Sequence, residues 1–268
     1  MYKEISSVSN QTYKKIKALQ TKKGRAQFSA FAAEGIKSVC DALAAKAPVL
    51  CIAVSEAFRA CNPQLMAYFS QQVSGIYVVS DKIFGGLCDA QAPQGVLCTV
   101  AIGPVGAPAD IIDKRRGLWV YCDRISDPGN AGTVVRTADA AGAGGVIFSQ
   151  GCADIYSPKA VRSAMGSLCH IPVLTECGAE VLAAFGEKGF RVAAGALSDQ
   201  ASDYRKADLR GDMVIVIGSE ANGVSDEVMG RCDCAVKIPI LGSAESLNAS
   251  VAAGILIYEW VRNQTAPH

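Results

Sequence analysis

Apolar residues follow two alternating rhythms along this chain: short continuous runs, and stretches with helical spacing. In the first hundred residues, Phe28–Ala33, Val49–Val54, Ile76–Val79 and Gln94–Ile102 are apolar runs of strand length. Between them, Gly35–Ala45 sets Ile36, Val39, Cys40 and Leu43 at the spacing of a helix that buries one face, and Pro63–Gln72 is a second helical segment. Asn10 can cap a helix over Gln11–Thr21, with Tyr13, Ile16, Leu19 and Gln20 near one face. Strands alternating with helices describe a small α/β domain over residues 1–102. Gly103–Gly117, with Pro104, Gly106, Pro108 and the charged run Asp113–Arg116, has the composition of a linker.

From residue 118 to 268 the strand-length runs become more purely apolar: Leu118–Cys122, Gly145–Phe148, Ile171–Leu174, Phe190–Ala194 and Met213–Ile217. Helical segments at Gly129–Ala141, Pro158–Met165 and Gly178–Phe185 lie between them. Such strands with helical crossovers imply a mainly parallel sheet covered on both faces. A last helix from Leu247 to about Val261 carries Leu247, Val251, Ala252, Ile255, Leu256, Tyr258 and Trp260. Apolar nearly all round, it is expected to be buried in the domain or in a subunit interface.

The stretch before that helix, Ile238–Val251 (I-P-I-L-G-S-A-E-S-L-N-A-S-V), crowds Glu245, Ser246, Asn248 and Ser250 around one helix start. Pro239 ends the strand-like run, and Ser246 is the expected cap. Two readings fit: an ordinary capped helix after an edge strand, or a site that offers backbone N–H groups and short polar side chains to a ligand. Two further clusters follow the ends of apolar strands, where open α/β sheets bind ligands. One is Asp127–Ala138, D-P-G-N-A-G-T-V-V-R-T-A, with Asn130 at a helix start and Arg136 six residues on. The other is Gly218–Ser225, G-S-E-A-N-G-V-S, in which Glu220 emerges at a strand end between two glycines.

Composition narrows the choice. The chain of 268 residues is 50% apolar and 19% charged, with a net charge of +1, so a well-filled core is expected. The first 25 residues are uneven: Lys3, Lys14, Lys15, Lys17, Lys22, Lys23 and Arg25 stand against Glu4 alone. That pattern suits a polyanion partner, and equally a solvated helix face. The eleven cysteines are scattered with no C-x-x-C pair, and only His170 and His268 could add imidazole, so no metal site is expected. A polar N-terminus and buried thiols suit a reduced, cytoplasmic protein with no membrane span. No G-x-G-x-x-G follows a strand and no Walker lysine motif is present, while the A-G-A-G-G run at Ala141–Gly145 reads as a helix stop and tight turn. His170 reads as a packed histidine, and nothing near Cys122 would lower its pKa.

Taken in order, N-A-G-T-V-V-R, I-G-S-E-A-N-G and I-P-I-L-G-S-A-E-S-L-N-A-S resemble the three signature motifs of the SpoU/TrmH family of RNA ribose 2′-O-methyltransferases, in the SPOUT superfamily. The match covers Leu118–Val261. The N-terminal part is similar, less specifically, to the ribosomal-protein-like substrate-binding domain of that family, through the basic helix, Arg25 and the F-A-A-E-G turn. The resemblance implies a C-terminal α/β knot, a deep trefoil, that holds S-adenosylmethionine in a bent form, and a homodimer whose interface borders each active site. It implies Gly218, Ile238 and Leu247 as cofactor contacts, and Asn130, Arg136, Glu220, Ser246 and Asn248 as the catalytic group. Lys14, Lys17, Arg25 and Arg162 would meet the RNA. A guanidinium, with a pKa above about 12, is a reluctant base. Arg136 is therefore expected to act as a cation, with Glu220 holding it, stabilising the developing alkoxide. The family acts on ribosomal and transfer RNA, and the appended domain favours ribosomal RNA. The competing readings are a non-catalytic RNA-binding or assembly factor of the same fold, and a knotted methyltransferase acting on a base.

Overall fold

The computed structural model describes residues 2–103, 108–198 and 200–265. It divides into two compact units, Met1–Pro104 with Asp154–Cys169, and Val105–Ala153 with His170–His268.

In the first unit, β1 (Lys3–Ile5), β2 (Ala30–Glu34), β3 (Val49–Ser55), β4 (Ile76–Val79) and β5 (Val96–Ala101) form one sheet in the order β1-β4-β3-β5-β2. β1, β4 and β3 run parallel, and β5 runs antiparallel to both of its neighbours. Side chains alternate across the sheet, as a strand requires. Ile52 and Val54 join a core with Val39 and Phe69, whereas Cys51 and Ala53 join another with Tyr13 and Ile16. The helix expected over Gln11–Thr21 stops at Ala18, and a second helix, not expected from the spacing, follows from Lys22. Asn10 caps Gln11–Ala18 by accepting from Thr12 N–H at 2.8 Å. Thr21 then caps Lys22–Phe28, its hydroxyl accepting from Gly24 N–H at 3.1 Å and donating to Ala18 O at 2.9 Å. Phe28 therefore ends a helix, and the strand expected from it begins at Ala30.

The segment Asp154–Cys169, expected in the C-terminal domain, packs in this first unit. Its helix Pro158–Ala164 lies on β2, Val161 joins the core, and Tyr156 stacks on Phe31 with ring centroids 5.2 Å apart.

The second unit carries a wholly parallel sheet of β6 (Leu118–Cys122), β7 (Gly145–Ser149), β8 (Val173–Cys177), β9 (Arg191–Gly195), β10 (Ser202–Asp203), β11 (Met213–Ile217) and β12 (Cys234–Lys237). The order is β10-β12-β9-β11-β6-β7-β8. Every residue of β6, β7 and β11 is buried, which explains their unbroken apolar runs. The chain steps outward from β6 to β8, then crosses to β9, and β11 fills the gap beside β6. The order reverses there, and crevices at such a point open at the C-terminal strand ends.

Part of the expected linker is structured. Residues 104–107 lie outside the described residues, but Pro108–Lys114 is a helix packed on Val181–Glu187, with Ile112 fully buried. The last helix runs Ala249–Thr265 against Pro128–Ala140 and β11. It is not buried all round within the chain. Ala253, Leu256 and Ile257 face the core, while Val251 and Tyr258, seven residues apart on one face, are each 51% exposed. No helix among the described residues is long and apolar enough to cross a membrane.

Candidate active site

The three polar clusters meet at the C-terminal ends of the second unit's strands. After β6, Asp127 caps the helix Pro128–Ala140, its carboxylate accepting from Asn130 N–H at 2.9 Å. The cap puts Asn130 in the first helical turn, from which its amide reaches both other clusters. Its Nδ2 donates to Glu220 Oε1 at 2.6 Å. Its Oδ1 accepts from Asn248 Nδ2 at 3.0 Å and from Ser250 Oγ at 3.2 Å. Segments about a hundred residues apart are thereby joined through one side chain.

The loop carrying Glu220 is a tight turn closed by Ser219 and Gly223, whose backbones exchange bonds of 3.0 and 2.9 Å. Gly223 turns it at φ +65°, a left-handed conformation that costs glycine little. Gly218 is required by space: a Cβ there would lie 2.1 Å from Gly223 C and 2.3 Å from Val224 N. The buried carboxylate of Asp123 ties down the far end of the loop, accepting from Ser225 N–H at 2.7 Å.

The third cluster departs from its expected form. β12 stops at Lys237, just before Ile238 and Pro239, and the final helix begins at Ala249 instead of Leu247. Asn248 is the cap in place of Ser246, its Oδ1 accepting from Ser250 N–H at 3.0 Å and Val251 N–H at 3.3 Å. Ser246 is left in the preceding loop, exposed at the rim of a cavity.

That cavity, of about 530 Å³, lies between the ends of β9, β11 and β12. Gly218, Ile238 and Leu247 line it, as do Glu220 and Ser246. Asn130, Arg136 and Asn248 do not, although Asn130 is bonded to its edge through Glu220, and Asn248 is bonded to Asn130. Its walls hold Met229 and Leu256, two carboxylates (Glu220 and Glu245) and, among the described residues, no basic side chain. A phosphate-rich nucleotide is badly matched to such walls. A nucleoside bearing a net positive sulfonium fits them in charge, in its apolar faces and in size.

Arg136 differs from expectation. Six residues after Asn130 it points about 120° away around the helix, and it is exposed with no hydrogen bond or ion pair among the described residues. Glu220, expected to hold its guanidinium, is held by Asn130 instead.

The basic residues expected at RNA belong to the first unit. Lys14 and Lys17 are exposed, and Arg162 is exposed and paired with Asp89. Arg25 is only 5% exposed; it donates to Leu19 O at 2.7 Å and to Asp154 at 3.1 and 2.6 Å. Its donors are spent on the fold, so the structure makes it a clip within that unit.

Asp123 and the Gly195–Ser198 edge of the cavity were missed in the sequence, and Ser250 was noted without a role. Ser250 was visible in the crowding at the helix start, and Gly195 as a glycine ending a strand; an aspartate after a buried strand carries no such signal. Burial pushes the Cys122 thiol well above its usual range, as expected for an inert cysteine. His170 is not packed away, but pairs with Asp139 at 2.8 Å near the surface. All eleven cysteines are unpaired, and no cluster of metal-ligating side chains occurs among the described residues.

The parallel α/β sheet thus carries, at the C-terminal ends of β9, β11 and β12, a cavity suited to a cationic nucleoside and edged by an amide–carboxylate cluster. Comparison with known proteins names the class. The SpoU rRNA Methylase family matches residues 117–258, and an MRM3-like substrate binding domain matches residues 10–98. The chain is 33% identical to the 23S rRNA (guanosine(2553)-2'-O)-methyltransferase RlmP of Bacillus subtilis, over 96% of this chain and 98% of that one. An AdoMet-bound rRNA methyltransferase from Sinorhizobium meliloti superposes with a TM-score of 0.87 at 31% identity, covering 99% of both chains. The SpoU methyltransferase AviRb of Streptomyces viridochromogenes, in complex with AdoMet, gives 0.82 at 27% identity, covering 94% of this chain and 98% of that one. The chain belongs to the SpoU rRNA methylase family. It is an S-adenosylmethionine-dependent RNA 2′-O-methyltransferase of the SPOUT fold.

Proposed function

We propose that this enzyme methylates a ribose 2′-hydroxyl in the large-subunit ribosomal RNA, in the cytoplasm, as a homodimer. The observation that carries the site assignment is the Asn130 amide, bonded at once to Glu220, Asn248 and Ser250 beside the cavity. Gly218, Ile238 and Leu247 hold the cofactor, whose sulfonium supplies an electrophilic methyl group. Transfer is an in-line displacement, so most of the chain's contribution is alignment. Asn130, Asn248 and Ser246 fix the ribose and the loops, and Glu220 anchors Asn130. Arg136, exposed and uncommitted, stabilises the developing alkoxide as a cation and orients a neighbouring phosphate. Residues 1–102, with the segment Asp154–Cys169 packed on them, form the RNA-gripping part, which has Lys14, Lys17 and Arg162 on its surface. The exposed Val251 and Tyr258 face of the last helix supports a dimer interface. A large-subunit target is favoured over transfer RNA because the Bacillus relative, named for that RNA, aligns along nearly its whole length.

The test is transfer of labelled methyl to deproteinised ribosomal RNA from cells lacking the gene, followed by mass analysis of the digested nucleosides. One 2′-O-methyl nucleoside from 23S RNA is expected. Label confined to transfer RNA, or found on a base, would refute the reading.

A further inference from the structure

The clusters that build the site are short of positive charge. Residues 123–140, 218–225 and 238–250 contain Asp123, Asp127, Asp139, Glu220 and Glu245 but only two basic residues, Arg124 and Arg136. Within these clusters, those two are the only side chains that can meet a polyanionic substrate with positive charge. Arg136 already has a role; Arg124 has none.

Its geometry is unusual. Among the described residues five non-glycine side chains take positive φ, and Arg124, at φ +55°, is the one that lies in the site's loops. Glycine would adopt that conformation at little cost, while a long side chain is strained there. The strain is held in place: Arg124 N–H donates to Ser149 Oγ at 2.9 Å, and Ser149 is buried. On the side chain, Nε lies 3.3 Å from Asp123 Oδ1, the carboxylate whose other oxygen holds Ser225 N–H. Nε is thus ion-paired with the carboxylate that holds the site loop. The two terminal nitrogens of the guanidinium have no partner among the described residues, and the side chain is 43% exposed. Arg124 does not line the cofactor cavity. A guanidinium fixed at Nε with its outer fork free is pre-organised for two phosphate oxygens.

We propose that Arg124 is a substrate-positioning residue that grips a backbone phosphate of the RNA next to the target ribose. The proposal rests on the RNA reading above, which methyl transfer to ribosomal RNA by the unaltered enzyme tests separately. The informative variant is Arg124→Gly, which keeps the backbone conformation and removes only the side chain, with Arg124→Lys beside it. With deproteinised ribosomal RNA as the probe, KM for RNA should rise about tenfold in Arg124→Gly, the loss of one bond to a charged group. Its salt dependence should be shallower by about 0.7 in the log–log slope, one phosphate contact on a single strand. S-adenosylmethionine affinity by calorimetry should stay close to the parent's, and Arg124→Lys should recover the salt slope and part of the KM. An unchanged KM and slope would overturn the proposal. So would a loss of cofactor affinity matching the loss of RNA affinity, because Arg124 would then serve only to neutralise Asp123 and hold the cofactor loop.

Discussion

Asn130→Asp is the sharpest perturbation of the active site, because it changes one hydrogen bond of three. An aspartate is isosteric and still accepts from Asn248 Nδ2 and Ser250 Oγ, so the side facing the last helix is preserved. On the other side a 2.6 Å donor to Glu220 becomes a second carboxylate oxygen at the same place. Losing a hydrogen bond to a charged group costs about 1.5–3 kcal/mol. Two like charges 4 Å apart add between about 1 kcal/mol in water and about 4 kcal/mol near a protein surface. Since the pair is accessible to water, the lower end applies, and the sum of about 2.5–4 kcal/mol predicts a fall in kcat of about 10²- to 10³-fold at pH 8. The sign of the pH effect follows from the pair: each carboxylate raises the other's pKa, so one takes up a proton as pH falls. A protonated carboxyl can donate where the amide did. Relative to the parent, Asn130→Asp should therefore regain activity between about pH 8 and pH 5.5. Single-turnover methyl transfer across that range, with cofactor affinity measured alongside, is the assay. A variant as active as the parent at pH 8, or one whose deficit does not depend on pH, would refute the role given to the Asn130–Glu220 bond.

Gly218→Ala should open the Ser219–Gly223 turn, since the added methyl meets backbone on both sides. An overpacking cost of about 1–3 kcal/mol predicts S-adenosylmethionine affinity lower by about tenfold or more in calorimetry, in a protein that still melts cooperatively. Arg25→Ala should destabilise the first unit by about 3 kcal/mol in urea titrations, because it leaves Asp154 without its partner, while the RNA KM of the folded fraction stays unchanged. Replacing Lys14 and Lys17 together with alanine should do the reverse, leaving stability alone and reducing the salt slope of RNA binding by about 1.4.

The architecture was largely legible because burial on both faces leaves a plain mark. Leu118–Cys122 and Met213–Ile217 are strands with the limits their apolar runs suggest, and Pro63–Gln72 is a helix with the limits its spacing suggests. Short polar elements left no such mark. Lys3–Ile5, Ser202–Asp203 and the helix Glu56–Cys61 owe their form to neighbours or caps, as where Ser55 accepts from Phe58 N–H at 3.1 Å. The motifs also showed which residues form the site, though not which of them bond one another.

What the amino-acid order determined by itself was local: strand and helix periods, caps such as Asn10, and three polar clusters placed after strands. Contacts across the chain were decided only on folding, because a hydrogen bond depends on direction and distance that sequence separation does not encode. Asn248 took the cap from Ser246 because its amide also had Asn130 to reach. Arg25, written among lysines, was drawn inward by Asp154, 129 residues away. Glu220 took Asn130 in place of Arg136 because helical geometry points those two side chains in different directions.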